Sequence, residues 1–227
     1  MATLTYYGHA TWGLDTKNAT ILIDPFFTGN PLAPVAASDV APSFIVLTHA
    51  HGDHYGDTVE LAKRTGATLI ANFEIVNYAQ KQGVANAHPL HIGGGFAFPF
   101  GRVKLTVAFH GSSFPDGTYG GQPAGVLIET DGKRIYDAGD TALFSDMRLI
   151  GEGGLDVAIV PIGDNFTMGP DDAVTAAKFL GAATVIPQHY NTWPVIRQDP
   201  AEFKRRAEAS TSSKVKVLKP GERFEIP

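Results

Sequence analysis

The sequence predicts an α/β fold, and two observations carry the prediction. Short, continuous apolar runs of strand length alternate with longer segments whose apolar residues recur at helical spacing. The β-rich runs also end repeatedly in polar residues capable of chemistry, and side chains at strand ends on one rim of a sheet can converge while lying far apart in sequence.

Residues 20–24 (TILID) and 44–48 (FIVLT) read as strands buried on both faces, and His9, in GHA, ends another candidate strand near the N-terminus. Residues 57–65 (DTVELAKRT) have helical spacing, 67–71 form a strand and 73–82 a second helix. Residues 103–109 (VKLTVAF) form a strand that ends at His110. Residues 125–130 and 134–137 pair as a hairpin, because Asp131-Gly132 favours the tight turn with positive φ, and the hairpin leads into Gly139-Asp140. Residues 156–162 form a strand running into GDNFTMGP, 171–180 a helix with Asp171 as its cap, and 184–187 a strand reaching Gln188-His189. A last helix over 200–209 precedes edge strands at 214–218 and 223–226. His88 and His91 read as loop histidines, and Gly93 to Gly95, with no phosphate-loop helix behind them, as a turn. No repeat or linker interrupts the chain, so residues 1–227 are expected to form a single domain, with a weak division into two halves near residue 115.

Composition narrows the function. A chain with 44% hydrophobic and 18% charged residues is an ordinary globular protein. Its net charge of −5 offers no basic excess to displace counterions, so no nucleic-acid partner is expected. No stretch approaches the length of a membrane span, so none is expected with a membrane either. The N-terminal MATLTYYGHATWGL does not read as a secretory signal, and with no cysteine in the chain the expected location is the cytoplasm. The expected partner is a small-molecule substrate, and a homo-oligomer is compatible with all of this.

The chemistry concentrates in THAHGDH, residues 48–54. Without cysteine, a metal can be held only by His, Asp and Glu, and histidine is the commonest metal ligand. His49 and His51, two residues apart in an extended turn, can point the same way and share one ion. Asp53 and His54 sit where the turn enters a helix and suit a second ion a few Å away. Each pair needs a further ligand, which the strand-end residues His110 and His189 can supply one apiece, and Asp140 is the candidate bridge between the ions.

With HAHGDH at 49–54 followed by His110, Gly139-Asp140 and His189, the chain resembles the metallo-β-lactamase superfamily over essentially its whole length. The wording around the site (GHA at 8–10, LIDP at 22–25, GDTALFSDM at 139–147, PIGDNFTMGP at 161–170, PQHY at 187–190) is similar to that of a bacterial and archaeal branch of metal-dependent hydrolases related to the ascorbate-phosphate lactonase group. The resemblance implies a four-layer αββα sandwich with the site at one edge. It implies two divalent transition-metal ions, zinc foremost, with Mn, Fe or Ni suited to the same donors. One ion falls to His49, His51 and His110, the other to Asp53, His54 and His189, with Asp140 between them.

Two such ions, less the charges of Asp53 and Asp140, lower the pKa of a bridging water and stabilise an oxyanion, while Asp53 can orient the hydroxide and shuttle its proton. Asp53 and Asp140 are therefore the expected catalytic carboxylates. The expected function is a metal-dependent hydrolase using a metal-bound hydroxide at a dinuclear site on a small anionic ester or lactone. The alternatives are a phosphodiesterase acting on a nucleotide or phospholipid-like substrate, and a non-catalytic metal-bound sensor or assembly component. Asp24 is expected behind a ligand histidine and His9 beside the metals; Asp164 and Asn165 read either as a site-facing loop or as simple turn chemistry, and Tyr190 as a packed aromatic or, alternatively, a donor to an oxyanion. The glycine-rich segment 111–121 is expected to form a mobile mouth, with Phe114 and Tyr119 as its apolar face.

Overall fold

A computed structural model describes residues 1–227 and distributes the strands between two seven-stranded sheets. In the first, β1 (Thr3–Tyr6), β2 (Trp12–Asp15) and β3 (Thr20–Ile23) make an antiparallel meander, and parallel pairings continue it to β4 (Phe44–Val46), β5 (Thr68–Asn72) and β6 (Ala87–Leu90). Helices α1 (Gly52–Tyr55) and α2 (Thr58–Thr65) fill the crossover from β4 to β5, and α3 (Phe73–Lys81) the one from β5 to β6. In the second, β7 (Gly95–Phe98), β8 (Gly101–Val107), β9 (Ala124–Thr130) and β10 (Lys133–Asp137) are antiparallel. Helix α4 (Met147–Gly151) then leads to β11 (Val157–Pro161), α5 (Pro170–Leu180) to β12 (Thr184–Gln188) and α6 (Pro200–Ser210) to β13 (Lys214–Val215), all in parallel pairing. The last strand, β14 (Arg223–Glu225), crosses back to pair with β1.

Strand alternation builds the layers. Ile21 and Ile23 of β3 and Val46 of β4 face the second sheet, where Val126, Ile128, Val157, Ile159 and Ile186 meet them. The intervening Leu22 and Ile45 turn outward onto Leu61 and Ala62 of α2 and Ile75 and Val76 of α3. Ala158, Val160 and Val185 likewise turn outward onto Ala173, Ala176 and Ala177 of α5 and Phe203 of α6. The result is an αββα sandwich, the metallo-β-lactamase fold that the resemblance implies. No helix is long and apolar enough to cross a membrane.

The pairing pattern also creates the functional rim. β1, β3 and β4 run in one direction, as do β8, β10, β11 and β12. The residues that follow these strands, from His9 to His189, therefore emerge at common sheet edges.

Several local expectations change. Helix α2 starts at Thr58, and the Asp57 carboxylate turns away to accept from the Phe27 and Thr28 amides at 2.8 and 2.9 Å. Asp171 does not cap α5: Gly169 is the N-cap and Pro170 occupies the first turn, where a missing N–H costs nothing. His88 is not in a loop but in β6, half-buried and 4.1 Å from the Phe96 ring, whereas His91 does lie in the connection that follows. The strand expected at 214–218 is only Lys214–Val215, paired with two residues of β12. The chain passes between sheets between Leu90 and Gly95, earlier than a division near residue 115, and β14 then returns to the first sheet. The Asp131-Gly132 turn does join β9 to β10, with φ of 53° and 77°.

Ile159→Ala removes a fully buried side chain between the sheets, so urea denaturation should show a loss of about 2–5 kcal/mol. The same change at the exposed Leu149 should cost less than about 0.5 kcal/mol.

Candidate metal centre

The rim gathers six of the seven candidate ligands into two adjoining triads. The ligating atoms of His49, His51 and His110 lie within 4.8 Å of one another, and those of Asp53, His54 and His189 form a second group that includes His9. His49 Nε2 is 3.0 Å from His51 Nδ1. Asp140 stands between the triads, its Oδ2 3.4 Å from His54 Nε2, 3.4 Å from His110 Nε2 and 3.1 Å from His189 Nε2.

Local backbone explains why the side chains converge. The turn from β4 into α1 carries all four residues of the motif, with Asp53 and His54 inside the short helix and His51 as its N-cap. His9, Asp24 and His189 each adopt positive φ (57°, 46° and 55°), as does Gly139 (58°) before Asp140. A left-handed residue at a strand end breaks the alternation and turns the chain into the rim; for a non-glycine residue it costs on the order of 1 kcal/mol. A Cβ at Gly139 would come within 2.9 Å of the Thr48 side chain, so Asp140 depends on glycine before it.

Behind the ligands lies a hydrogen-bonded support. Asp24 Oδ1 accepts from the Thr48 amide at 2.8 Å, and its Oδ2 accepts from Thr48 Oγ1 at 2.6 Å and from His54 Nδ1 at 2.7 Å. Thr48 Oγ1 in turn accepts from His49 Nδ1 at 3.0 Å. With both Nδ1 atoms donating backward, Nε2 of His49 and of His54 is the nitrogen turned toward the triads, where a metal would take its lone pair. His9 Nε2 holds Asp53 Oδ2 at 3.0 Å, and Thr192 Oγ1 meets His9 Nδ1 at 2.7 Å.

The electrostatics favour added cationic charge. Burial would raise the Asp140 carboxyl, but His189 and His54 outweigh it and hold it well below the usual range. Burial would likewise lower His189, yet Asp140 pushes it up to about 9. His49, fully buried and ringed by imidazoles, is lowered, and His9 falls to about 4 through burial and the neighbouring His189. Buried Nε2 of His54, Nε2 of His189 and Oδ1 of Asp140 have no hydrogen bond. Imidazoles and ionised carboxylates with buried donor atoms free of hydrogen bonds are the donor types that divalent transition metals take, and a bound cation would displace the protons that the carboxylates hold on His54 and His189.

A cavity of about 940 Å³ opens onto this cluster, lined by His51, Asp53, His110, Asp140 and His189. Its remaining walls are Phe26, Phe166, Trp193 and Val195, together with Gly52 and Ser113, Phe114, Pro115 and Gly117 of the 111–121 segment. Phe114 is anchored, stacked on Tyr78 at 3.6 Å and edge-on to Tyr55 at 5.0 Å, while the exposed Tyr119 lies outside the cavity wall.

Two further expectations need correction. Tyr190 packs in the core beneath α5 and α6, where burial pushes its hydroxyl up to about 12, and it does not reach the cavity. Asp164 and Asn165 are exposed in a left-handed turn; Asp164 caps that turn by accepting from the Asn165 amide at 2.8 Å and lines a separate groove. Phe166, one residue on, is the part of this loop that reaches the cavity. Sequence reading passed over Thr48, Thr192, Phe26 and Trp193; only their positions beside His49, Asp24 and His189 marked them.

Known proteins are similar to this chain over most of its length. Residues 19–190 match the family described as Beta-lactamase superfamily domain. A UPF0173 metal-dependent hydrolase of Bacillus thuringiensis is 54% identical over 225 residues, covering 96% of this chain and 97% of the relative. Igni18, a metallo hydrolase of the archaeon Ignicoccus hospitalis, superposes with a TM-score of 0.90 at 39% identity, covering 100% of this chain and 99% of that one. An isothiocyanate hydrolase from Delia radicum gut bacteria shares the fold, with a TM-score of 0.78 at 22% identity and 98% of each chain covered.

Asp24→Asn places a donor where three donors converge, so zinc affinity measured by chelator competition should fall about 10–100-fold with the fold retained by circular dichroism. Asp164→Asn and Tyr190→Phe should leave that affinity unchanged. Wild-type affinity in Asp24→Asn would contradict the supporting role of this carboxylate.

Proposed function

The chain belongs to the metallo-β-lactamase superfamily, among its metal-dependent hydrolases, and on that premise we propose that it works with two divalent ions, zinc foremost, to hydrolyse a small ester or lactone. The observation that carries the reading is the pair of triads on either side of Asp140, with buried donor atoms free of hydrogen bonds and open to one cavity. Seven donors exceed what one closed tetrahedral ion takes. His49, His51 and His110 would hold one ion, Asp53, His54 and His189 the other, and Asp140 would touch both.

Bound there, such ions supply a water nucleophile at neutral pH and positive charge for an oxyanion. The chain's own residues divide the remaining work by exposure. Asp53, 24% exposed at the side chain and facing the cavity, is the acceptor for the nucleophile's proton, and His9 holds its carboxylate in place through Nε2. Asp140, at 2%, is sealed among His54, His110 and His189 and serves as fixed charge. Asp24 and Thr48 keep the ligand rings oriented.

Access for a substrate favours catalysis over a sensor or assembly role, since a structural site closes its coordination sphere. A phosphodiesterase is supported less well, because no lysine or arginine lines the cavity to take a second phosphate or a nucleotide's charge. The same reading gives the protein a small-molecule substrate and a cytoplasmic location, with neither nucleic acid nor membrane as partner, in keeping with a net charge of −5.

Elemental analysis after zinc or manganese loading should find about two ions per chain, and a strong chelator should lower both Tm and esterase activity until metal is restored. Less than one ion per chain would remove the dinuclear reading. Asp140→Ala should reduce kcat by on the order of 10²-fold or more, as loss of a preorganised charged group does, with the melting temperature of the metal-free protein little changed.

A further inference from the structure

Resting on the hydrolase reading above, we propose that this site is specific for substrates whose non-reacting part is uncharged and apolar, an aromatic or branched acyl group above all. The juxtaposition behind this is an aromatic-walled cavity, without a cation, set directly on the metal centre. Of the residues lining the cavity, the only polar side chain outside the candidate ligands is that of Ser113.

The apolar lining comprises two groups. Beside His9, whose ring is 4.0 Å from that of His189, stand Phe26 and Trp193: the Trp193 ring lies 4.9 Å from that of His9 and 6.3 Å from that of Phe26, and Phe166 and Val195 line the same cavity. On the side of His51 and His110 stand Phe114 and Pro115, with Phe114 held by the stack on Tyr78 and the edge of Tyr55. This second wall is fixed before any ligand arrives, so little ordering cost remains on binding.

Exposure sharpens the assignment. Phe166 and Val195 are 54% and 53% exposed, and both sit on this cavity. Apolar surface held open to water beside a polar centre gains free energy when an apolar group covers it.

The charge argument runs the other way for a multiply anionic substrate. Positive charge at the triads attracts an anion to the reacting position only. A second carboxylate or phosphate on the acyl side would be desolvated against Phe26, Trp193 or Phe114 with no cationic partner, at a cost of several-fold to many-fold in binding. The wall therefore lends no support to the anionic substrate expected from sequence.

The test uses zinc-loaded protein and two 4-nitrophenyl esters with the same leaving group, the neutral phenylacetate and the anionic hemisuccinate. The phenylacetate should show kcat/KM at least about tenfold higher, from burial of its ring. Trp193→Ala and Phe166→Ala should raise KM for the phenylacetate severalfold more than for the hemisuccinate, with zinc content unchanged. Preference for the hemisuccinate, or equal losses on both esters in the two variants, would overturn the inference while leaving the hydrolase reading intact.

If neither ester turns over with two zinc ions bound, the hydrolase reading as written fails and binding decides the inference. Phenylacetamide should then quench tryptophan fluorescence saturably in wild type but not in Trp193→Phe, because the other tryptophan, Trp12, is fully buried. Succinamate should do so at no less than tenfold higher concentration. Tighter binding of succinamate, or no saturable response to phenylacetamide, would overturn the inference by this route.

Discussion

One buried carboxylate, that of Asp24, accepts from the amide and hydroxyl of Thr48 and from the ring of His54, and through these bonds ties the end of β3 to the turn after β4. Thr48 then passes the constraint to His49. The orientations of His49 and His54, one from each triad, are thus set by one group that never reaches the cavity. The arrangement works only because β3 and β4 are parallel neighbours, so that residues 24 and 48 leave the sheet side by side. Fold and chemistry meet at that pairing.

The rest of the rim pays in stability for what it offers a metal. Six imidazoles and three carboxylates are drawn together beside a sealed sandwich core, with three non-glycine residues (His9, Asp24 and His189) in left-handed backbone and several buried donor atoms lacking hydrogen bonds. Carboxylates hold neighbouring rings cationic, and His54 and His189 are shifted upward despite burial. Such a cluster is costly as a plain turn and favourable as a cation site. Interleaved apolar layers on both sides of each sheet supply the rigidity that keeps it together.

Strand ends were the readable part of the sequence. Residues 20–24, 44–48 and 184–187 are apolar enough to declare buried strands, and the residues after them, with His110 and Asp140, do meet at one rim. Sheet membership was not readable, since pairing β14 with β1 depends on contacts across the whole chain. Strands β2 and β7 are four residues long and contain glycine, too short for a periodic signal. The cavity wall was equally hidden: Phe26, Phe166 and Trp193 are isolated aromatics in loops, and only the fold shows which loop residues face the ligands. Tyr190 misled for the same reason, because the left-handed turn at His189 sends adjacent side chains to opposite sides.

Two triads of side chains, with Asp140 between them, would hold two ions. Crystals of the zinc-loaded protein, with diffraction recorded at and below the zinc absorption edge, test it most directly. Two anomalous peaks per chain are expected, one enclosed by His49, His51 and His110, the other by Asp53, His54 and His189, with Asp140 touching both. A single peak, or zinc bound away from these residues, would contradict it.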